Sequence, residues 1–455
     1  MATRVVCPAN CRQHGTYPET RFESLISASR SGCGSRLTTC SILRSRHQWP
    51  VMPDHVSPGV YVEENGQLHS IRGLPTSTAG FVGPTHSGPL VLPSAPLTGL
   101  AEFEQIYGGP QLMQFEDASP MPNFMWHAAR AFFENGGIRL YASRVFSTGA
   151  RSNSDGRRPT AADYAGALGP ATNCKTALMA FEEVDEIYTI AAPGATFGCQ
   201  ENSADARSIL NLLIAHAEQM RYRNAVLDSG DGQCPDAVQA FRANFNSRYA
   251  SLYYPWVTVH DPSTGGSLNL PPSGFIAGIY ARTDLTRGVS KSPANEVINL
   301  AIGLETILDD AQQGILNPLG INTLRFFPGR GYLVWGARTI TSDSEWKYVA
   351  IRRYIAYLEH SIDNGTQWVV FEPNGEPLWA NVRQTISIFL TNEWRSGALM
   401  GSKPDEAYFV KCDRSTMTQN DIDNGKLIVL IGVATLRPAE FVIFRIDRWT
   451  ADHKS

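Results

Sequence analysis

Strand-like and helix-like segments alternate through the middle of the chain. Strand-like runs occupy Glu186–Ala191, Ala225–Asp228 and Tyr253–His260. Helical patterns separate them at 203–221 and 235–247, the first with apolar residues at helical spacing at Leu210, Leu213, Ile214 and Ala217. Because strands joined by helices usually lie parallel in one sheet, this order predicts a mostly parallel sheet covered by helices.

Two further helices are predicted beside this core. The first runs from Pro120 to Gly137 and ends at an Asn-Gly-Gly signal. The second starts with Ser292 as N-cap and Pro293 at its first position. Apolar residues then follow at helical spacing, at Val297, Ala301, Leu304, Leu308 and Ala311.

The last third of the chain has a different pattern. A capping box at Ser342-x-x-Glu345 predicts a helix, followed by a strand at Gln367–Glu372 and a second helix over 376–396. An apolar strand is predicted at Leu427–Ala434, and a final strand at Phe441–Ile446. The expected fold class is therefore α/β and α+β, in more than one domain, as 455 residues also suggest.

The first 51 residues differ in composition from the rest. They hold seven Arg, no Lys and two Glu, a net charge of +5 in a chain whose total is −4. Four of the eight cysteines lie here, without a zinc-type spacing. An Arg- and Ser-rich composition also occurs in organelle transit peptides. We favour a disordered leader or translated upstream sequence before a start at Met52, because the segment cannot supply a packed core.

The sequence contains no complete catalytic, cofactor-binding or metal-binding motif. The sequence contains no G-x-S-x-G, H-E-x-x-H or P-loop pattern. Asp228 follows a strand and precedes Ser-Gly-Asp-Gly, so it is the one candidate nucleophile or metal ligand. A turn closing a strand–helix unit explains the same residues without chemistry, and we favour that interpretation. No catalytic, cofactor-binding or metal-binding residue is therefore assigned.

The two ends of the body both carry short strand patterns, at Val60, Tyr61 and Val62 and at Phe441–Ile446. Such strands either pair within their own domain or join the sheet edge of a neighbour. From the residues alone, pairing within the chain is the simpler alternative.

Several segments, in the same order and spacing, resemble those of contractile phage tail sheath proteins, including the sheaths of phage-tail-like bacterial injection systems. The similarity spans about residues 52 to 449 and is densest after 275. The segments that carry it are Met52–Glu64 (MPDHVSPGVYVEE), Ile279–Asp284 (IYARTD), Arg287–Asn295, Arg325–Gly336 (RFFPGRGYLVWG), Trp346–Val349, Trp368–Asn374 (WVVFEPN) and Pro438–Ile446 (PAEFVIFRI).

The resemblance implies a structural subunit that forms stacked hexameric rings around an inner tube and contracts to drive that tube through a target envelope. It implies an N-terminal arm and first inner-domain part at 52–97, an outer middle domain at 98–320, and an inner domain with a terminal arm at 321–455. Its arms would add strands to neighbouring subunits. That role falls on Val60, Tyr61, Val62, Phe441, Val442, Ile443, Phe444, Arg445 and Ile446.

The implied partners are further copies of the chain, the inner tube protein, and baseplate and tail terminator proteins, with no nucleic acid, membrane insertion or cofactor. Assembly is expected in the bacterial cytoplasm, into a phage tail or an injection particle, and the resemblance leaves these two open. The 376–396 helix is a candidate tube contact through Arg383 and Glu393. An enzyme built around Asp228, or a non-contractile adaptor, remains the alternative.

Overall fold

The computed structural model describes residues 69–147, 155–168, 174–199 and 203–443. The predicted arm residues Val60–Val62 and Phe444–Ile446 lie outside these ranges. Up to residue 260 the elements are β1 (Thr78–Gly83), α1 (Leu100–Tyr107), α2 (Phe124–Glu134), β2 (Arg139–Arg144), α3 (Ala161–Ala165), α4 (Ala177–Ala180), β3 (Thr189–Ala191), α5 (Ser203–Met220), β4 (Asn224–Asp228), α6 (Pro235–Arg242), β5 (Ala250–Tyr254) and β6 (Val257–His260).

The remaining elements complete the first sheet and then build the C-terminal part. They are β7 (Ser267–Leu270), α7 (Ser273–Arg287), β8 (Glu296–Val297), β9 (Ala301–Leu304), α8 (Asp310–Leu316), β10 (Ile321–Phe327), β11 (Gly331–Val334), α9 (Val349–Gly365), α10 (Glu376–Arg395), α11 (Pro404–Ala407), β12 (Tyr408–Lys411), α12 (Gln419–Asp423) and β13 (Leu430–Val433).

The main sheet has eight strands in the order β2-β1-β3-β4-β5-β10-β11-β8. The first six are parallel, and β11 and β8 extend them antiparallel. A small sheet in the order β7-β6-β9 lies beside it. Both faces of the parallel strands are buried, which explains their nearly continuous apolar sequences. The predicted fold class is confirmed.

Helices cover both faces of the sheet. On one face, α2 and α7 pack against each other and against side chains such as Phe81 and Val226. A Cβ at Gly274 would lie 2.7 Å from the Ala128 Cα atom, so glycine is what allows the two helices to approach so closely. On the other face, α5 and α6 cover a second core around Leu227 and Leu252. The result is a three-layer body.

A buried ion pair joins this body to the C-terminal part. Asp284, near the end of α7, accepts hydrogen bonds from both terminal nitrogens of Arg353 on α9, one at 3.0 Å. Each side chain is only 4% exposed. The Thr76 hydroxyl donates to the same carboxylate at 2.5 Å, and the Arg353 guanidinium lies 4.4 Å from the Tyr280 ring centroid. The charges are thus fully paired inside the molecule.

Several predicted elements are wrong. The helix predicted from Ser292 is replaced by β8 and β9, because Asn295 and Leu300 take left-handed backbone angles that interrupt a helix. The strand predicted at Gln367–Glu372 is a single 3-10 turn over Gln367–Val369, and Phe371 has a φ of 70°. In both places, apolar spacing favoured a regular element that the backbone does not form.

Other boundaries also differ. The capping box at Ser342 does not start a long helix, since only the short 3-10 segment Ser344–Trp346 follows and α9 begins at Val349. The strand predicted over Tyr253–His260 is divided at Pro255, which has no N–H to donate, and its halves join different sheets. The long buried helix α7 had no counterpart in the predicted elements.

The main sheet also crosses both predicted domain boundaries. β1 comes from the segment 52–97 and β10 and β11 come from 321–455, yet all three pair with strands of the segment 98–320 or with one another. The division at 97 and 320 remains a prediction that this sheet does not follow.

Replacing Asp284 by Asn should strongly destabilise the subunit. The change leaves the buried Arg353 charge without its counter-ion, which costs about 3–5 kcal/mol. The measurement is the free energy of unfolding of the unpolymerised subunit in urea. Glu376→Gln is the control, because its pair with Arg414 is 72% and 66% exposed, and it should cost less than about 1 kcal/mol. Equal losses in the two variants would contradict this assignment.

Candidate assembly surface

The C-terminal part contains an incomplete sheet. β12 and β13 pair antiparallel over four residues, from Tyr408 opposite Val433 to Lys411 opposite Leu430. Tyr408 also anchors β12 to α10, where its hydroxyl lies 2.7 Å from the Thr391 hydroxyl. Among the described residues no strand pairs with the other edge of β13. Two-stranded sheets are only marginally stable alone, and here the packing of β12 against α10 supports the pair.

An open groove with a volume of about 1500 Å³ runs beside β13, and its lining combines apolar side chains with charged ones such as Arg221, Arg248 and Glu359. We call it the acceptor groove. Alternate residues of the β13 segment form one wall, as expected for side chains on one face of a strand, and they are Leu427, Val429, Ile431 and Val433. Helices α9 and α10 form the floor with Ile355, Leu358, Ile362, Leu378, Val382, Ile386 and Leu390.

The lip of the acceptor groove is the segment that sequence reasoning predicted as a strand. Val369, Val370 and Phe371 line the groove. Phe371 is 102% exposed and Val370 is 58% exposed. A large aromatic side chain held entirely in water by a left-handed backbone is unfavourable for an isolated subunit. The lip therefore indicates a surface that a partner covers.

The first three residues of the predicted C-terminal arm have apolar side chains that are exposed to solvent. Phe441, Val442 and Ile443 are 74%, 69% and 80% exposed. Three consecutive exposed apolar residues with high strand propensity are typical of a segment that pairs with another sheet edge. One subunit thus presents both an exposed apolar segment with high strand propensity and an open groove.

The two predicted tube contacts lie on α10 but face its own domain. The Glu393 carboxylate accepts hydrogen bonds from the hydroxyls of Tyr354 and Tyr357, both at 3.0 Å. Arg383 donates to the Cys412 carbonyl at 2.6 Å. The exposed residues of α10 are instead Glu376, Pro377, Ala380, Asn381, Gln384, Ile388, Asn392 and Arg395, and from Asn381 onward they are spaced three or four apart. A role of Arg383 and Glu393 at a tube stays a prediction.

Asp228, the candidate catalytic acid, has a structural partner. Its carboxylate accepts hydrogen bonds from the backbone N–H and the hydroxyl of Ser273, both at 2.7 Å, at the first residue of α7. Burial raises its pKa to about 7, against the opposing effect of the two hydrogen bonds. None of the cavities described for this chain is lined by Asp228. Asp228 therefore caps a buried helix.

Backbone N–H groups of the glycine-containing loop after β3 also have hydrogen-bond partners within the chain. The N–H groups of Gly198 and Cys199 donate to one carboxylate oxygen of Asp231, at 2.8 and 3.3 Å. In dinucleotide-binding folds, backbone N–H groups at this place bind phosphate. Here a carboxylate of the chain itself takes that position.

Neither a membrane-spanning helix nor a metal-type cluster occurs among the described residues. None of their helices combines the length and apolar character needed to cross a membrane. They also hold no cluster of three or more His, Cys, Asp or Glu side chains suited to a metal ion.

Comparison with known proteins identifies the family. The model of the phage tail sheath protein central domain matches residues 159–340, and that of the phage tail sheath C-terminal domain matches residues 341–447. A subunit in the cryo-EM structure of the anti-feeding prophage (AFP) baseplate is 31% identical, with a TM-score of 0.63. That match covers 87% of this chain and 99% of the other. The chain belongs to the phage tail sheath family.

Two further relatives of this sheath protein extend the comparison. A subunit of the PVC sheath complex in the contracted state, from an extracellular contractile injection system, is 28% identical with a TM-score of 0.64. That match covers 87% of this chain and 98% of the other. The tail sheath protein of Burkholderia phage BcepMu is 27% identical over 310 residues, which is 64% of this chain and 62% of that protein. The chain thus spans less than two thirds of the phage protein.

Sequence reasoning missed the acceptor groove of this sheath protein. One signal was present, since Leu427, Val429, Ile431 and Val433 alternate as on a half-buried strand. The floor came from helices already predicted as amphipathic. Which of their residues line the groove depends on where the small sheet lies against them, and the pattern within one segment does not show this.

Replacing Asp228 by Asn should change how stability depends on pH. Because the folded pKa of Asp228 is raised to about 7, its protonated form is favoured by folding, and this contribution is lost as pH rises through about 7. The wild-type thermal midpoint should therefore fall relative to that of Asp228→Asn between pH 5 and pH 8.

The control for this comparison is Asp413→Asn. The side-chain and backbone hydrogen bonds from Ser415 lower the pKa of that exposed carboxyl, so it stays ionised in both buffers and no such trend is expected. A difference between wild type and Asp228→Asn that is constant from pH 5 to pH 8 would contradict the protonation of Asp228.

Proposed function

We propose that this chain is the subunit of a contractile tail sheath, which polymerises as helically stacked hexameric rings around an inner tube. A signal from the baseplate releases contraction, which drives the tube through a target cell envelope. The observation that carries the proposal is that one member of the family has both an exposed segment with strand propensity, Phe441–Ile443, and an open groove beside β13. Each subunit completes the sheet of another.

A head-to-tail contact of this kind does not close on itself and so builds a helix. Strand addition relies on main-chain hydrogen bonds, each worth about 0.5–1.5 kcal/mol net, while side chains fill the groove. The arms Val60–Val62 and Phe441–Ile446 are the proposed donors. Subunits joined through such arms rotate and slide while the arms bend, and rigid bodies exchange surface contacts during contraction.

The proposed partners are other copies of the chain, the inner tube protein, and baseplate and tail terminator proteins. Assembly takes place in the bacterial cytoplasm, within a phage tail or an injection particle. We place the boundary between the outer and inner domains near residue 340, where the two family models meet. Along the chain, the last strand of the eight-stranded sheet is β11 (Gly331–Val334), so this sheet supports a boundary near 340 better than one at 320.

Replacing Val442 and Phe444 together by Pro should abolish polymerisation without unfolding the subunit. Proline removes two N–H donors from the strand that is added to a neighbour. The critical concentration for sheath formation should rise at least about a hundredfold. Electron microscopy and sedimentation report assembly, and circular dichroism reports folding. The paired control Val442→Thr and Phe444→Tyr keeps the N–H groups and strand propensity, and should polymerise. Normal sheaths from the proline variant would contradict the donor role.

A mixing experiment separates donor from acceptor. Ile431→Asp places a charge in the acceptor groove but leaves the arm intact, whereas the proline variant keeps the groove and loses the arm. Neither should polymerise alone. Mixed in equal amounts, they should form complexes of limited size, since each pair makes one intact contact. An absence of complexes in analytical ultracentrifugation would argue that this arm does not enter this groove.

The outer face of α10 is the proposed tube contact. Ile388 is 42% exposed in the middle of that face, and Ile388→Asp should weaken co-assembly with the tube by about tenfold or more, given what burial of one Ile contributes. Sheath formation without tube should be unchanged. Ile307→Asp, at a side chain that is 82% exposed outside α10, is the matched control. Equal tube binding by both variants and wild type would exclude this face.

A further inference from the structure

The root of the C-terminal arm is held by a charged fork. The guanidinium of Arg338 donates to both carboxylate oxygens of Glu440, with the Nε–Oε1 distance at 2.8 Å. The Tyr348 hydroxyl lies 3.4 Å and the Lys347 ammonium 3.8 Å from the second oxygen. The Arg338 and Glu440 side chains are only 6% and 19% exposed. Two-point pairing of this kind fixes orientation as well as distance.

Arg338 itself is fixed to the main sheet. Its backbone N–H donates to the Asn322 side-chain oxygen at 2.6 Å, and the Asn322 amide donates to the Arg338 carbonyl at 2.8 Å. Asn322 is fully buried on β10 and also donates to the carbonyl of Leu252 on β5. The third guanidinium nitrogen of Arg338 donates to the Asn317 carbonyl at 2.9 Å. Glu440 is thus linked through the side chains of Arg338 and Asn322 to strands β10 and β5.

The chain changes character on the two sides of Glu440. After it, Phe441–Ile443 are exposed, and no backbone hydrogen bond joins them to another described residue. Before it, only Leu436–Ala439 separate Glu440 from the segment that pairs with the C-terminal sheet, where Thr435 bridges Leu399. Without the fork, a pull on the arm would act directly on β13.

We propose that the Arg338–Glu440 pair is the anchor of the C-terminal arm. It sets the place and direction in which the arm leaves the subunit, and it transfers the pull of a neighbouring subunit to the eight-stranded sheet. The β12–β13 pair, held by four residue pairs, is then shielded from that pull. This second role rests on the proposed function, since only an assembled sheath applies the pull.

The anchor also affects assembly itself. Releasing Glu440 lengthens the free tether of the arm by the residues back to Thr435. A longer flexible tether lowers the effective concentration of the arm at a neighbour's groove. The anchor therefore favours polymerisation without making any contact with the neighbour.

The test uses Glu440→Gln in the full chain, with Lys347→Met as control. Lys347 is the more distant partner, at 3.8 Å and 37% exposed. In unpolymerised subunits, hydrogen exchange at Met400 and Ala434, whose N–H groups are hydrogen-bonded beside the root of the arm, should accelerate by about tenfold in Glu440→Gln, because this pairing opens locally. Exchange in α9 and β10 should not change. Unchanged exchange at Met400 and Ala434 would overturn the anchor, whether or not sheaths form.

The second measurement follows assembly. The critical concentration of Glu440→Gln should rise by roughly three- to tenfold as the tether lengthens. In contracted sheaths of this variant, exchange at Leu430–Val433 should increase, because the pull now reaches β13. Lys347→Met should match wild type in both. A raised critical concentration together with unchanged exchange at Leu430–Val433 would overturn the force-bearing role. Wild-type subunits that never form sheaths would refute the proposed function, and the exchange of free subunits would still decide the anchor.

Discussion

The buried pair of Asp284 and Arg353 is the interaction on which the organisation of this subunit depends. It lies where α7, a largely buried helix of the three-layer body, meets α9, the first helix of the C-terminal part. A charge pair buried this deeply tolerates little movement, because separating the partners leaves each charge without solvation. The main sheet and the floor of the acceptor groove are therefore held in one fixed relation, and the groove has a defined position relative to the arm.

The rest of the C-terminal part, in contrast, leaves several surfaces open in the single subunit. Among the described residues its small sheet has two strands, its groove is open, and its lip holds Phe371 in water. An isolated domain rarely keeps such a surface, whereas a member of the phage tail sheath family gains from it. Under the proposed function, assembly completes the fold: strands from neighbours supply what the chain omits. The contrast between a rigid joint at Asp284 and an incomplete sheet at β13 matches a subunit that moves as a body while its arms bend.

The parts of the fold that sequence reasoning predicted correctly share one property, which is a local pattern that agrees with the tertiary environment. Helices α5 and α10 have continuous amphipathic spacing, and both form where predicted. The helix predicted from Ser292 had comparable spacing but contained Asn295 and Leu300, which the packing holds at positive φ. Helix α7 was missed because a helix buried on nearly all sides carries no polar face to reveal its period. The hydrogen-bond partner of Asp228, Ser273, lies 45 residues away, so no local pattern predicts this contact.

The sequence by itself determined the parallel strand–helix core, the amphipathic terminal helices, the apolar end segment at Phe441–Ile443 and the resemblance to tail sheath proteins. These depend on short-range spacing and on ordered motifs, both of which are written along the chain. Only the tertiary structure decided that the main sheet takes strands from both sides of the predicted domain boundaries, that no described strand pairs with the second edge of β13, and that Glu440 is tied to Arg338. The physical reason is that burial and pairing of these groups are set by residues distant in sequence, 102 positions apart for Arg338 and Glu440. Long-range contacts of that kind leave no period in either segment.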